Sequence, residues 1–126
     1  MEAKTDAAIY AERFVLGWRI SATLERSGAD WLIRVAGGCA PHIGSVSTAW
    51  WEEGELRRKT LLLPGHRDDA VSDLFAEEAA KRTRSTVTVV CGIHYDQPGR
   101  EGIARILECT RLLLEDVLSR MEELSI

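Results

Sequence analysis

The stretch FVLGWRISATLERSGADWLIRVAGG, residues 14–38, decides the fold. Apolar side chains alternate strictly with the residues between them over 14–25, and a period of two is typical of a half-buried β-strand. The turn-forming residues 27–30 separate this strand from a second alternating run at 31–35. The two runs therefore predict a β-hairpin whose second strand ends at Gly37-Gly38.

Two further strands and a helix are predicted downstream. Residues 43–51 are rich in β-branched and aromatic side chains, and a polar turn leads from them into a fourth strand at 56–63. Pro64-Gly65 ends that strand. Asp68 or Asp69 can cap the following helix, which is predicted to end near Thr83.

The remaining chain predicts one more strand and one more helix. Residues 85–93 are β-branched and nearly uncharged, as expected for a central strand. The apolar positions between Ile103 and Met121 form a wide stripe at helical spacing, which indicates a long amphipathic helix. The order ββββαβα predicts an α/β fold of the two-layer α+β type, with a mainly antiparallel five-stranded sheet and two helices packed on one face.

A sheet covered on one face leaves apolar side chains exposed on the other, so a homodimer is expected. Trp50 and Trp51 should point to opposite faces of the third strand, and the exposed one is expected at an interface. We expect a single domain over residues 1–126, with 1–12 as a flexible tail and 13–124 as the folded part.

Composition limits the classes of partner. The net charge of −4 argues against a surface that neutralises nucleic-acid phosphates. No run approaches the roughly 20 apolar residues needed to span a membrane, and the first residues do not have the pattern of a secretory signal. The three cysteines are far apart and form no CxxC pair, which favours a reducing compartment and hence the cytoplasm.

All three histidines, His42, His66 and His94, follow or precede predicted strand ends. Because strands joined by short turns alternate in direction, the second strand ends, the third begins and the fourth ends at the same end of the sheet. If the fifth strand runs parallel to the fourth through a right-handed crossover, it ends there as well, and both helices begin there. The sequence therefore predicts one site that gathers the three histidines.

The chemistry of this end favours an anion. Helix N-termini carry unpaired N–H groups and a partial positive charge, and imidazoles beside them can bind a divalent metal or hydrogen-bond the anion. Purely structural loop histidines are the alternative. Cys39 lies near this end, but a small buried cysteine is the commoner case, so it is left out of the site.

Catalysis receives no support from sequence motifs. The chain contains no GxSxG elbow, P-loop, HExxH helix or GxGxxG turn. Asp69 or Asp96 beside a histidine could form an acid/base pair, although acidic residues after a turn are more often helix caps. No catalytic residue is assigned.

Three segments, GGCAPHIGSVS at 37–47, LPGHRDD at 63–69 and VVCGIHYDQPGREGI at 89–103, resemble the LpdD-like prenylated-flavin chaperones. The resemblance extends over roughly residues 14 to 120. It implies a fold similar to the proteasome assembly chaperones. It also implies an accessory protein, not an enzyme, that binds prenylated FMN and helps to load a decarboxylase that uses this cofactor.

The resemblance and the histidine site together assign a set of binding residues. Those expected to bind the cofactor are Pro41, His42, Gly44, His66, Arg67, Asp68, His94, Tyr95 and Asp96. The three histidines are also expected to hold a divalent metal ion. Two alternatives stay open: a small metal-dependent enzyme that uses the three histidines, and an assembly chaperone that binds protein alone.

Overall fold

A mixed sheet with helices on one face forms the protein in the computed structural model, which describes residues 9–65 and 67–124. Within those residues there are six strands and two helices: β1 Ile9–Val15, β2 Trp18–Ser27, β3 Asp30–Gly38, β4 Ser45–Glu52, β5 Glu55–Leu62, α1 Asp69–Thr83, β6 Val87–His94 and α2 Gly99–Leu124. The strand order is β1-β2-β3-β6-β4-β5. The pair β3–β6 is parallel, and the other four neighbouring pairs are antiparallel.

The predicted two-layer α+β architecture is confirmed, but the strand count of five is wrong. The alternating run 14–25 contains a two-residue hairpin turn at Leu16 and Gly17, with φ of 51° and 81°. Positive φ at both positions suits the tight hairpin turns that match strand twist. Val15 pairs with Trp18 across the turn, so the run is divided between β1 and β2.

The turn also reverses which positions face the helices. Val15 is buried at 8% exposure, whereas Phe14 is 66% exposed; in β2 the even positions Ile20 and Leu24 are the buried ones. Apolar Leu16 continues the alternation that includes Phe14, although β1 ends at Val15, and this conceals the turn. β1 begins at Ile9, inside the expected tail of residues 1–12, and residues 1–8 of that tail lie outside the described residues.

The hydrophobic core lies between the sheet and the two helices. Phe75 of α1 and Leu113 and Val117 of α2 are fully buried against strand residues such as Ile33 and Val89. Full burial of a side chain of this size contributes about 1.5–3 kcal/mol. Among the described residues, neither helix is long and apolar enough to span a membrane.

A buried polar contact fixes α1 to the sheet near its N-terminus. The Ser45 hydroxyl donates to Ser72 Oγ at 2.8 Å, and the Ser47 hydroxyl donates to Asp73 Oδ1 at 2.6 Å. Ser45, Ser47 and Ser72 are completely buried. Because each buried hydroxyl is hydrogen-bonded, the contact holds α1 in place without leaving an unsatisfied polar group.

The direction of the strands places three strand ends together. β6 lies between β3 and β4 instead of beside β5, so the expected neighbour was wrong. Since β4 is antiparallel to both β5 and β6, those two still run the same way. β3, β5 and β6 therefore end, and β4 begins, at one end of the sheet, which we call the histidine end.

Within residues 9–65 and 67–124, no helix lies on the opposite face of the sheet. The Trp51 indole N–H donates to the Ala80 carbonyl of α1 at 3.1 Å, whereas Trp50 lies on the other face and donates to Glu52. Their predicted opposite orientation is confirmed. The open face also carries exposed apolar side chains: Tyr10, Phe14, Leu32 and Leu61.

Candidate functional site

Two glycines allow the histidine-bearing loops to pack directly on the strands. A Cβ at Gly92 would lie 1.7 Å from the His42 carbonyl oxygen. A Cβ at Gly38, whose φ is +81°, would lie 1.9 Å from the carbonyl oxygen of His94. No side chain fits in either place, so the close contacts with the His42 and His94 carbonyl groups require glycine at positions 92 and 38.

Backbone hydrogen bonds hold the same loops. The Gly44 N–H donates to the Cys91 carbonyl at 2.9 Å, and the Cys39 N–H donates to the His94 carbonyl at 2.9 Å. The Leu63 N–H donates to the Gly44 carbonyl at 2.8 Å. The ends of β3 and β5 and the start of β4 are thereby connected to one another and to β6.

His42 forms a largely buried pair with Asp68. His42 Nε2 lies 3.1 Å from Asp68 Oδ2, and Nδ1 lies 3.0 Å from the Ala40 carbonyl oxygen. The side chains are 23% and 10% exposed. Only the doubly protonated imidazolium donates to both oxygens at once. A metal ion at His42 would have to displace one of these oxygens.

Asp68 precedes α1 but does not cap it through its side chain. The carboxylate makes no capping hydrogen bond; Oδ1 instead accepts the Ile93 N–H at 3.2 Å. The backbone carbonyl of Asp68 accepts from Val71 and Ser72. Asp68, one of the two expected capping residues, is therefore at the N-cap position, but its carboxylate contacts His42 and the Ile93 N–H instead of the first turn of the helix.

His94 forms a second, exposed pair with Asp96. Nε2 lies 2.9 Å from Asp96 Oδ1, and the two side chains are 51% and 82% exposed. Hydrogen bonds from His94 and from Cys39 lower the pKa of Asp96 below the usual value of an aspartate. One ligand atom each from Cys39, His94 and Asp96 lies within 4.8 Å of the others.

A cleft of about 350 Å³ opens between the N-terminal parts of the two helices at the histidine end. Five of the predicted binding residues line it: His42, Arg67, Asp68, His94 and Tyr95. Its apolar wall consists of Val71, Ile93, Ile103, Ile106 and Leu107. This volume and mixed lining are typical of small-molecule sites.

The other predicted binding residues lie elsewhere. Asp96 lines a neighbouring cleft with Cys39, and Pro41 lines a groove with Arg34 on the open face. Gly44 is buried at the start of β4. His66 lies outside the described residues, so the three-histidine metal set stays a prediction.

Tyr95 serves as a wall of the cleft. It is buried, and its hydroxyl lies within hydrogen-bonding distance of the Val15 and Trp18 carbonyl oxygens, at 3.1 and 3.3 Å. Burial raises the pKa of the Tyr95 hydroxyl above its usual value. The hydroxyl is thus engaged by the turn between β1 and β2.

The sequence alone does not assign Cys39 or the apolar wall to the site. Gly38 pairs with His94 in the parallel β3–β6 register, which places the next residue, Cys39, beside His94. That register cannot be read from alternation alone. Ile103 and Leu107 belong to the predicted apolar stripe, yet they are 51% and 49% exposed, and this exposure separates cleft-lining positions from core positions.

The fold has a counterpart among solved structures. It is similar to a chain in a solved structure titled "Crystal Structure of a Novel Chaperone Complex for Yeast 20S Proteasome Assembly", with a TM-score of 0.58 and 12% sequence identity. The similarity covers 92% of this chain and 96% of that one. At 12% sequence identity, this similarity establishes a shared fold and nothing about function.

The family follows from the sequence comparison. Residues 15–122 match the family model described as the prenylated flavin chaperone LpdD-like domain; the protein belongs to this family. It is also similar to Protein LpdD of Lactiplantibacillus plantarum (strain ATCC BAA-793 / NCIMB 8826 / WCFS1), with 29% identity over 111 residues, 84% of this chain and 79% of that protein. The predicted family, and an accessory chaperone in place of an enzyme, are confirmed.

Proposed function

We propose that the protein binds prenylated FMN in the cleft at the histidine end and passes it to a decarboxylase that uses this cofactor. The observation that carries the proposal is the division of the cleft into an apolar wall on α2 and a polar part beside the start of α1. A flavin has the same division, with a largely apolar ring system and a phosphate.

The residues present fit such a ligand. Val71, Ile103 and Leu107 offer apolar surface to a ring system. Arg67 is exposed at the start of α1, where a guanidinium and the helix N-terminus both favour a phosphate. Both oxygens of the Asp68 carboxylate already have partners, because Oδ2 lies 3.1 Å from His42 Nε2 and Oδ1 accepts the Ile93 N–H.

Further parts of the proposal concern assembly and surroundings. We propose a homodimer formed through the open face of the sheet, supported by exposed Phe14 and Leu61 there, 66% and 60% exposed. We propose the cytoplasm as its compartment, in line with the three free cysteines. His66 and a divalent metal belong to the proposal as well.

Binding is tested by mixing the protein anaerobically with reduced prenylated FMN and measuring flavin absorbance in the protein fraction after gel filtration. Ile103→Glu places a charge on the apolar wall and should weaken retention at least about tenfold, ~1.4 kcal/mol. Leu74→Glu is the matched control, because Leu74 is 42% exposed on α1 and does not line the cleft.

The second arm measures delivery. A decarboxylase freed of cofactor should regain activity faster when prenylated FMN is supplied with the wild-type protein than when it is supplied alone. Absence of flavin retention by the wild-type protein, or equal retention by the Ile103→Glu and Leu74→Glu variants, contradicts the cleft as the binding site. Recovery of a stable protein partner without any flavin retention favours an assembly chaperone that binds protein alone.

A further inference from the structure

Three different types of metal ligand meet where β3 and β6 end. Cys39 follows β3, His94 is the last residue of β6, and Asp96 lies two residues further on. Their ligand atoms all lie within 4.8 Å of one another, and His94 Nε2 is 2.9 Å from Asp96 Oδ1. A thiol, an imidazole and a carboxylate therefore face a common point.

The backbone holds two of these ligands side by side without a metal. Gly38 and His94 are register partners in the parallel pair, and the Cys39 N–H donates to the His94 carbonyl at 2.9 Å. The left-handed conformation of Gly38, φ +81°, brings its backbone against that same carbonyl. Ligands fixed in advance by the fold lose little freedom when an ion binds.

We propose that Cys39, His94 and Asp96 bind one Zn²⁺ ion. One sulfur, one nitrogen and one oxygen donor suit a cation of borderline softness, and zinc accepts all three in tetrahedral sites. On binding, the Cys39 thiol releases its proton to solvent and coordinates as thiolate.

Three protein ligands leave the fourth tetrahedral position for water or an incoming ligand. The site lies beside a cleft of about 330 Å³ that Leu16, Trp18 and Gln97 also line, which gives that position access to a small molecule. The set does not include His42, whose ring nitrogens lie against Asp68 and Ala40. It therefore shares only His94 with the expected three-histidine set.

The test is a titration of the full-length, metal-free protein with Zn²⁺ by calorimetry and with Co²⁺ by absorption. One equivalent should bind, and Co²⁺ should give a thiolate charge-transfer band with the strong visible bands of a tetrahedral site. Cys39→Ser should abolish the charge-transfer band. Asp96→Asn should weaken Zn²⁺ binding roughly tenfold or more. Losses of that size occur even when the mutated residue only hydrogen-bonds to a metal ligand.

Glu101→Gln is the matched control, since it removes an exposed carboxylate in the first turn of α2 and should leave both bands and the Zn²⁺ affinity unchanged. Thermal unfolding in chelator checks that the exposed-site variants fold like the wild type. The proposal is overturned if no thiolate band forms, if Cys39→Ser and Asp96→Asn bind Zn²⁺ as well as the wild type does, or if Glu101→Gln loses the ion while those two keep it.

Discussion

Two histidine–aspartate pairs at the same end of the sheet differ in what surrounds them. His42 and Asp68 are 23% and 10% exposed, and the backbone groups of Ala40 and Ile93 complete their hydrogen bonds. His94 and Asp96 are 51% and 82% exposed and lie beside a thiol. The His42–Asp68 pair therefore forms part of the cleft wall. In the His94–Asp96 pair, the same two residue types leave their ligand atoms accessible to solvent.

The largest expected effects come from the glycine under each histidine. Gly92→Ala forces a Cβ to within 1.7 Å of the His42 carbonyl, and Gly38→Ala adds an unfavourable φ to a 1.9 Å clash with the His94 carbonyl. Since backbone must move in both cases, each should lower the free energy of unfolding by about 3 kcal/mol or more. Urea denaturation measures this.

Gly28→Ala is the control for these substitutions. Its φ is +63°, but no atom lies within 4 Å of the added Cβ, so only the left-handed conformation is penalised, by about 1–2 kcal/mol. If Gly92→Ala, which carries no such φ penalty, destabilises the protein no more than Gly28→Ala does, the close packing of the His42 loop on β6 is wrong.

The two aspartates should respond differently to removal. Asp68→Ala leaves the Ile93 N–H and the His42 ring without their carboxylate, and unsatisfied buried groups cost about 1–3 kcal/mol each; we expect a loss of about 2–3 kcal/mol in unfolding free energy. Asp96→Ala changes the more exposed pair, 51% and 82% exposed, and should leave the free energy of unfolding nearly unchanged. If the two variants lose the same free energy of unfolding, the proposed difference between a buried and an exposed pair is wrong.

The sequence predicts the histidine end because strand direction follows from local features. Short connections reverse the chain from β3 to β4 and from β4 to β5, and this places the ends of β3 and β5 at one end of the sheet whatever the order of the strands. The position of β6 between β3 and β4 is set instead by pairing between distant segments, which alternation does not encode. Cys39 was left out of the predicted site as a small buried cysteine, whereas the Gly38–His94 register places it, only partly buried, beside His94.

Local signals also failed where a residue has two possible uses. Leucine at position 16 is uncommon in a tight turn, yet it adopts a φ of 51° there, and its apolar character prolonged the strand pattern. Asp68 has the sequence position of a helix cap, but a buried N–H on β6 and an imidazole bind its carboxylate instead. Tertiary contacts decided both cases.

The smallest expected effect concerns the pKa of Asp96 in the exposed pair with His94. The pKa of Asp96 is lowered first by the hydrogen bond from His94 and then by that from Cys39, so in metal-free protein it should rise toward the usual aspartate value in His94→Gln, and less in Cys39→Ala. A pKa lowered by folding stabilises the folded state above the unfolded pKa, and this stabilisation is lost as the pH falls through the folded pKa.

This pH dependence should therefore appear only in acid, below the usual aspartate pKa, and it should be small because the carboxylate is exposed. Carbon NMR of the Asp96 carboxyl across a pH titration in chelator measures the shift directly. His42→Gln should leave the Asp96 pKa unchanged, because His42 interacts with Asp68. An Asp96 pKa that rises as much in His42→Gln as in His94→Gln would mean that the two pairs are coupled, and that the exposed pair is not a separate site.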